Sequence, residues 1–349
     1  MHCPLRRCRM VVMYKASERR YDSMSYRRPS GCGLSLPVIS LGLWHNFGSE
    51  SDYQTTKEII TTAFDNGITA FDTANNYGPG NGSAEERLGE IIRKELFSYR
   101  DEIIVSTKAG YPMWPGPYGD GGSRKYLVSS LDQSLRRLHL DYVDIFYHHR
   151  PDRTTPLEET ASALAYIVSS GRALYVALSN YGGEIFEMQR ILKEDYHTPV
   201  ILDQVSCSIL NRRGDEDGTL FPRLEKEGIG ILAFSPLSQG RLTDKYLDGN
   251  IPADSRAGTG TFLSARDITP ELVKTLNTLN GIASRRGQKL RDMAINWDLE
   301  RRGMTGVIVG ARNRSQIEET IDGLRTYSSF TEEEENAIRE AVRGISFRR

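Results

Sequence analysis

"YVDIFYHH", residues 142–149, is aromatic or β-branched at most positions, carries one acid, and closes on two histidines. A run apolar at nearly every position, rather than at every second one, is what a strand covered on both faces requires. Seven similar runs accompany it: "VISLGL" (38–43), "GITAFD" (67–72), "EIIVSTK" (102–108), "ALYVALSN" (173–180), "VILDQVS" (200–206), "GILAFSP" (230–236) and "GVIVGA" (306–311). Helix-like stretches separate them at 52–66, 83–97, 125–138, 156–170, 183–194, near 217–227, and at 270–286 with 288–302. Leu127, Leu131, Leu135 and Leu138 fall on one helix face. Ser83 with Glu86 has the spacing of a capping box, and Thr269-Pro270 that of an N-cap followed by proline at the first helical position. Repeated β-then-α units with buried strands mean a parallel sheet, and eight of them favour closure into a single (β/α)8 TIM barrel of the α/β class. The doubly wound alternative needs a glycine-rich turn opening a helix after its first strand; "GCGLSL" (31–36) lacks the third glycine and opens no helix.

The remaining segments fall around this frame. Residues 22–37 read as an N-terminal β-hairpin plugging the barrel bottom, 237–269 as a long loop after the seventh strand, and 330–342 as an extra C-terminal helix. Residues 1–20 are expected to be a flexible extension and 21–349 the barrel domain, with Met1, Met10 or Met13 as the start. A formal charge of −1, with 38% hydrophobic and 26% charged residues, offers no general attraction to nucleic acid or anionic lipid. No apolar run reaches the roughly 18 residues of a membrane span. The four cysteines form no metal-ligand spacing, which suits free thiols in a reducing cytoplasm and predicts no metal.

In a barrel of this kind chemistry gathers at the C-terminal strand ends. The ends here are Asp72, Lys108, His148 with His149, Ser179 with Asn180, Gln204, Phe234 with Ser235, and the approach to Arg312. A lysine at an apolar barrel mouth loses its proton unless an opposite charge holds it, and Asp72 can supply that charge. The paired Lys108 is then expected to lower the pKa of Tyr77, in "FDTANNYG" (71–78), and so to make it a proton donor. His149 can orient a substrate oxygen, whereas His148, alternating along the strand, should point into packing. Such a set suits carbonyl reduction, with the hydride drawn from a cofactor.

"FDTANNYG", "STKAG" (106–110), "DIFYHHRPD" (144–152), "LSN" (178–180), "FSPLSQGRL" (234–242) and "VIVGARNRSQIEET" (307–320) together resemble the signature blocks of the aldo-keto reductase superfamily, over roughly residues 25–345. "YKASERRYDSM" (14–24), "SLGLWHNFG" (40–48) and "GPYGDGGSRKYL" (116–127) are similar to the potassium-channel β-subunit branch and, within it, to bacterial L-glyceraldehyde 3-phosphate reductases. The resemblance implies a catalytic tetrad of Asp72, Tyr77, Lys108 and His149, the last because it stands five residues after Asp144. It implies an NADPH/NADP+ site with Trp44, Ser179, Asn180, Gln204 and Phe234 around the nicotinamide. Ser235, Leu237, Gln239, Gly240 and Arg241 would lie along the pyrophosphate. Lys245, Arg256, Gly310, Arg312 and Gln316 would lie near the 2′-phosphate, and Glu319 near the adenine. Arg312 stands where channel β-subunits have serine, which favours NADPH over NADH.

His45, Trp114, Tyr118, Arg124 and Arg150 are the candidates for substrate contact. Trp114 and Tyr118 read equally as a lid or an oligomer contact, and the two arginines equally as phosphate ligands or solvated surface. The expected function is NADPH-dependent reduction of small aldehydes by a cytoplasmic homo-oligomer, a tetramer or larger. The alternative is a redox-sensing regulatory subunit that binds NADP(H) and a partner protein. Position 149 discriminates between them, since channel β-subunits carry asparagine there.

Overall fold

The computed structural model describes residues 14–212 and 218–345. Two short strands, β1 (Tyr26–Arg27) and β2 (Leu36–Pro37), pair antiparallel near the chain start. They are followed by β3 (Ile39–Gly42), β4 (Ala70–Asp72), β5 (Ile104–Ala109), β6 (Val143–His148), β7 (Ala173–Ser179), β8 (Val200–Ser206), β9 (Gly230–Phe234) and β10 (Met304–Val309). These eight are parallel and close into a barrel, with β10 returning to pair with β3. The expected (β/α)8 architecture is the one observed, and each strand falls within the apolar run assigned to it or overlaps nearly all of it.

The helices are α1 (Tyr53–Asp65), α2 (Ser83–Ile91), α3 (Arg124–Leu138), α4 (Leu157–Ser169), α5 (Ile185–Glu194), α6 (Leu220–Lys226), α7 (Arg256–Thr259), α8 (Pro270–Arg285), α9 (Leu290–Leu299), α10 (Arg314–Leu324) and α11 (Glu332–Ala341). Leu127, Leu131, Leu135 and Leu138 are the buried face of α3. Each such side chain contributes about 1.5–3 kcal/mol relative to exposure. Thr269 accepts from the Leu272 N–H with Pro270 at the first position of α8, as the sequence predicts. Ser83 does not cap. Gly82 holds the N-cap position in a left-handed conformation, and the Ser83 hydroxyl donates to the Pro79 and Gly80 carbonyls instead. The expected helix 83–97 is α-helical only to Ile91, continuing as a π-helical turn and a 3-10 stretch.

Two apolar layers result. One lies between strands and helices, with Phe71, Val105 and Phe146 against residues such as Leu127 and Leu131. The other fills the barrel's lower interior with Ala70, Ile104, Ile145, Tyr147, Ala177 and Leu202. Leu36 of the hairpin joins this inner layer at 1% exposure, so the hairpin is the barrel's plug. Residues 1–13 of the expected extension lie outside the described residues, whereas 14–20 rest on the barrel wall. There the Tyr14 hydroxyl donates to Asp65 at 2.7 Å, and the Ala16 N–H donates to the Tyr99 hydroxyl at 3.0 Å. No helix among the described residues is long and apolar enough to cross a membrane.

Candidate active site

Strand register lifts four polar side chains above the inner apolar layer. Asp72 of β4 aligns with Ser106 of β5, and Lys108 stands two residues further up that strand, level with Tyr147 of β6. Lys108 is fully buried, and its Nζ donates to Asp72 Oδ2 at 2.5 Å and to the Thr73 carbonyl at 2.8 Å. The other Asp72 oxygen accepts from Ser106 at 2.8 Å and from Gln204 Nε2 at 3.0 Å. Asp72 is therefore the anchor of a buried ion pair, and a turn-capping role is excluded. Burial pushes the Lys108 pKa down while Asp72 opposes it.

Above the pair, Tyr77 stands with its ring centroid 5.0 Å from the ammonium and its hydroxyl 3.4 Å from His149 Nε2. The sequence expectation of a lowered Tyr77 pKa is corrected here. Burial raises it well above 10, with the charges of Asp72 and Tyr111 adding to the effect. The reason is burial first, since taking the phenol out of water penalises its ionised form, and the Asp72 carboxylate adds to that penalty. His149 is held well below 6.5, first by burial and then by the Lys108 charge, so its imidazole is neutral near pH 7. The site thus presents two neutral proton carriers over a neutralised ion pair. His148 points the other way, buried, with Nδ1 2.5 Å from the Tyr181 hydroxyl, as its alternation predicts.

Asp72, Tyr77 and His149 line a cleft of about 1030 Å³ at the C-terminal mouth. Its wall also holds Trp44, Ser179, Asn180, Gln204 and Phe234, together with Ser235, Leu237, Gln239, Gly240 and Arg241 of the loop after β9. Lys245, Arg256, Gly310, Arg312, Gln316 and Glu319 line it as well. All sixteen residues proposed from sequence as cofactor contacts therefore share one surface. The loop after β9 holds Ser235, Ser238 and Gln239 at φ of 58°, 47° and 63°. Non-glycine residues persist in this region only where surroundings dictate it, and such turns aim backbone N–H groups toward anions.

Residues 38–343 match the family model described as "Aldo/keto reductase family". The chain belongs to the aldo/keto reductase family. It is 49% identical over 327 residues to an L-glyceraldehyde 3-phosphate reductase of Escherichia coli O157:H7, covering 92% of this chain and 94% of the relative. The protein of the same name in Escherichia coli strain K12 is 48% identical over the same length, with the same coverage. A probable voltage-gated potassium channel subunit beta of Oryza sativa subsp. japonica is 35% identical over 324 residues, 91% of this chain and 97% of the relative. Family membership makes the protein an oxidoreductase with a nicotinamide cofactor. The residues present fit that group: an aromatic ring at Phe234, amides at Asn180 and Gln204, and cations at Lys245, Arg256 and Arg312 on a common wall.

In this aldo/keto reductase the expected substrate contacts fare differently from the rest. Arg150 does not open onto the cleft: Asp120 takes its guanidinium at 2.8 and 2.9 Å, and the Gly110 carbonyl accepts from its Nε at 2.8 Å. Arg124 lies on the outer face of α3, bonded to the Ser162 carbonyl and stacked over Tyr166. Trp114 packs on Tyr126, and Tyr118 is 58% exposed beneath Lys125. His45 stacks on Trp44 and Phe262 rather than lining the cleft itself. Among the cleft residues that the sequence reading did not single out, two aromatics stand close to the site. Tyr111 meets His149 edge-on at 4.7 Å, and Phe262 covers Trp44 at 4.6 Å. Tyr111 directly follows "STKAG", so its position just past a strand end was the available signal; Phe262 lies in a Gly- and Ser-rich loop that gave none.

Proposed function

We propose that this reductase uses NADPH to reduce small aldehydes, of the glyceraldehyde 3-phosphate or methylglyoxal class, to alcohols. The observation that carries the reading is the Tyr77 hydroxyl beside a neutral His149, above the Lys108–Asp72 pair, in a cleft whose wall also carries Lys245, Arg256 and Arg312. When bound, NADPH supplies a hydride, two electrons, to the carbonyl carbon and becomes NADP+. Tyr77 gives its proton to the carbonyl oxygen, and because burial disfavours the phenolate so formed, its reprotonation is strongly driven. His149 holds the oxygen in line, and Tyr77 recovers its proton from solvent through the cleft.

Arg312 supports NADPH over NADH, since a guanidinium meets a 2′-phosphate with charge-assisted hydrogen bonds. The names of the two Escherichia coli relatives support the substrate class. A second reading, an NADP(H)-binding sensor subunit with vestigial catalysis, draws on the 35% and 36% identity to probable channel β-subunits of rice and Arabidopsis thaliana. His149 beside the Tyr77 hydroxyl favours the enzyme. The reading includes a cytoplasmic homo-oligomer, a tetramer or larger.

The test is loss of nicotinamide absorbance with NADPH and a panel of short aldehydes. Tyr77→Phe should cut kcat by about 10²–10⁴-fold, the range for a positioned general acid, with NADPH affinity changed less than about twofold. Turnover retained in that variant would remove the tyrosine from the mechanism. Tight NADPH binding without turnover in the unmodified protein would favour the sensor.

A further inference from the structure

We propose that Tyr111 binds a second substrate oxygen, so that the enzyme selects aldehydes bearing a hydroxyl or oxo group on the carbon next to the carbonyl. This rests on the reductase reading above and names a residue that decides its substrate class.

Tyr111 lines the same cleft as Tyr77 and His149. Its ring stands at 89° to the His149 imidazole with centroids 4.7 Å apart. The Arg150 guanidinium lies over the ring, 4.8 Å from its centroid. That guanidinium is bonded to both oxygens of Asp120 and to the Gly110 carbonyl. The Tyr111 backbone is pinned as well. Its carbonyl accepts from the Tyr126 hydroxyl at 2.6 Å, and Tyr126 accepts in turn from Asn75 Nδ2 at 3.1 Å. Asn75 sits in the loop that carries Tyr77.

So much fixation leaves one polar group unused. The Tyr111 hydroxyl makes no hydrogen bond within the described protein, nor is it among the buried polar atoms sealed from solvent without a partner. A rigid phenol with an unoccupied hydroxyl at a reaction cleft is a preorganised donor. Its location fixes the ligand chemistry. A carbonyl oxygen held by Tyr77 and His149 places the adjacent carbon of the substrate beside the His149 ring, and Tyr111 is the aromatic neighbour of that ring. An oxygen on that carbon meets the hydroxyl, whereas beside a plain alkyl chain the hydroxyl keeps its water, so the preference is that of one net hydrogen bond.

The experiment compares 2-hydroxypropanal, 2-oxopropanal and propanal, three-carbon aldehydes that differ only at the second carbon, with NADPH and either the unmodified protein or Tyr111→Phe. The phenylalanine keeps the ring against His149 and beneath Arg150, and NADPH binding followed by fluorescence checks that the cleft is intact. The expected result is a fall of about tenfold in kcat/KM for the two oxygenated aldehydes, the scale of one lost hydrogen bond, with propanal changed less than about twofold. An equal loss on all three would assign Tyr111 to general packing and overturn the proposal. Turnover with an unchanged preference would overturn it alone, and no turnover of any aldehyde by the unmodified protein would sink the reductase reading with it.

Discussion

Replacing Asp203 by asparagine should stabilise this protein, and by more as the pH rises. Asp203 lies on β8, fully buried, and neither carboxylate oxygen has a hydrogen-bond partner among the described residues. Burial pushes its pKa from 3.8 up to about 8. A buried acid with a raised pKa keeps its full contribution below the unfolded value and loses it as pH climbs toward the folded one. Between those limits folding must take up a proton, at about 1.4 kcal/mol per pH unit. From pH 5 to pH 7 the native protein should therefore lose roughly 3 kcal/mol through this group alone, with the loss levelling off above about pH 8. Asparagine has the same shape and no such proton to bind. Urea unfolding of both proteins at pH 5, 6, 7 and 8 reads the difference directly, and all other titrating groups cancel in the comparison. A stability gap that stays constant across the series would show that Asp203 is ionised and partnered in the folded protein, and the argument from its burial would be refuted.

Two further substitutions probe the cleft. Lys108→Met strands Asp72 as a buried charge beneath Tyr77, so urea unfolding near pH 7 should report a loss of about 3–5 kcal/mol; adding Asp72→Asn should restore part of it, and an unchanged midpoint in the single variant would contradict the buried pair. Arg312→Ala should weaken NADPH binding by about 10–100-fold, the scale of charge-assisted hydrogen bonds, while leaving NADH binding unaltered in a fluorescence titration. Equal weakening of both would place Arg312 away from the 2′-phosphate.

The barrel was legible because its strands are apolar on both sides, a pattern that survives without any knowledge of neighbours. The strand-end rule then delivered Asp72, Lys108 and the pair His148 and His149, because parallel register carries every strand's last residues to the same rim, and the family resemblance singled out His149. What stayed hidden depended on partners distant in sequence. Arg150 looked available until Asp120, thirty residues earlier, proved to hold it. The sense of the Tyr77 shift was misread because it turns first on how deeply the phenol is buried, which the order of residues does not give. Asp203 was visible as an acid in "VILDQVS", but the irregular pairing of β7 with β8 between Val176 and Leu178 leaves its facing undecided until coordinates exist. Ser83 failed as a cap because Gly82 adopts a left-handed turn, which spacing rules do not register.

The seating of Leu36 in the barrel floor has a mechanical corollary. The packed layer above Leu36 already bars passage from below, so the hairpin seals a floor and not a channel. Loosening it should cost the barrel firmness while leaving the doorway to Asp72 and Tyr77 at the opposite rim as it was.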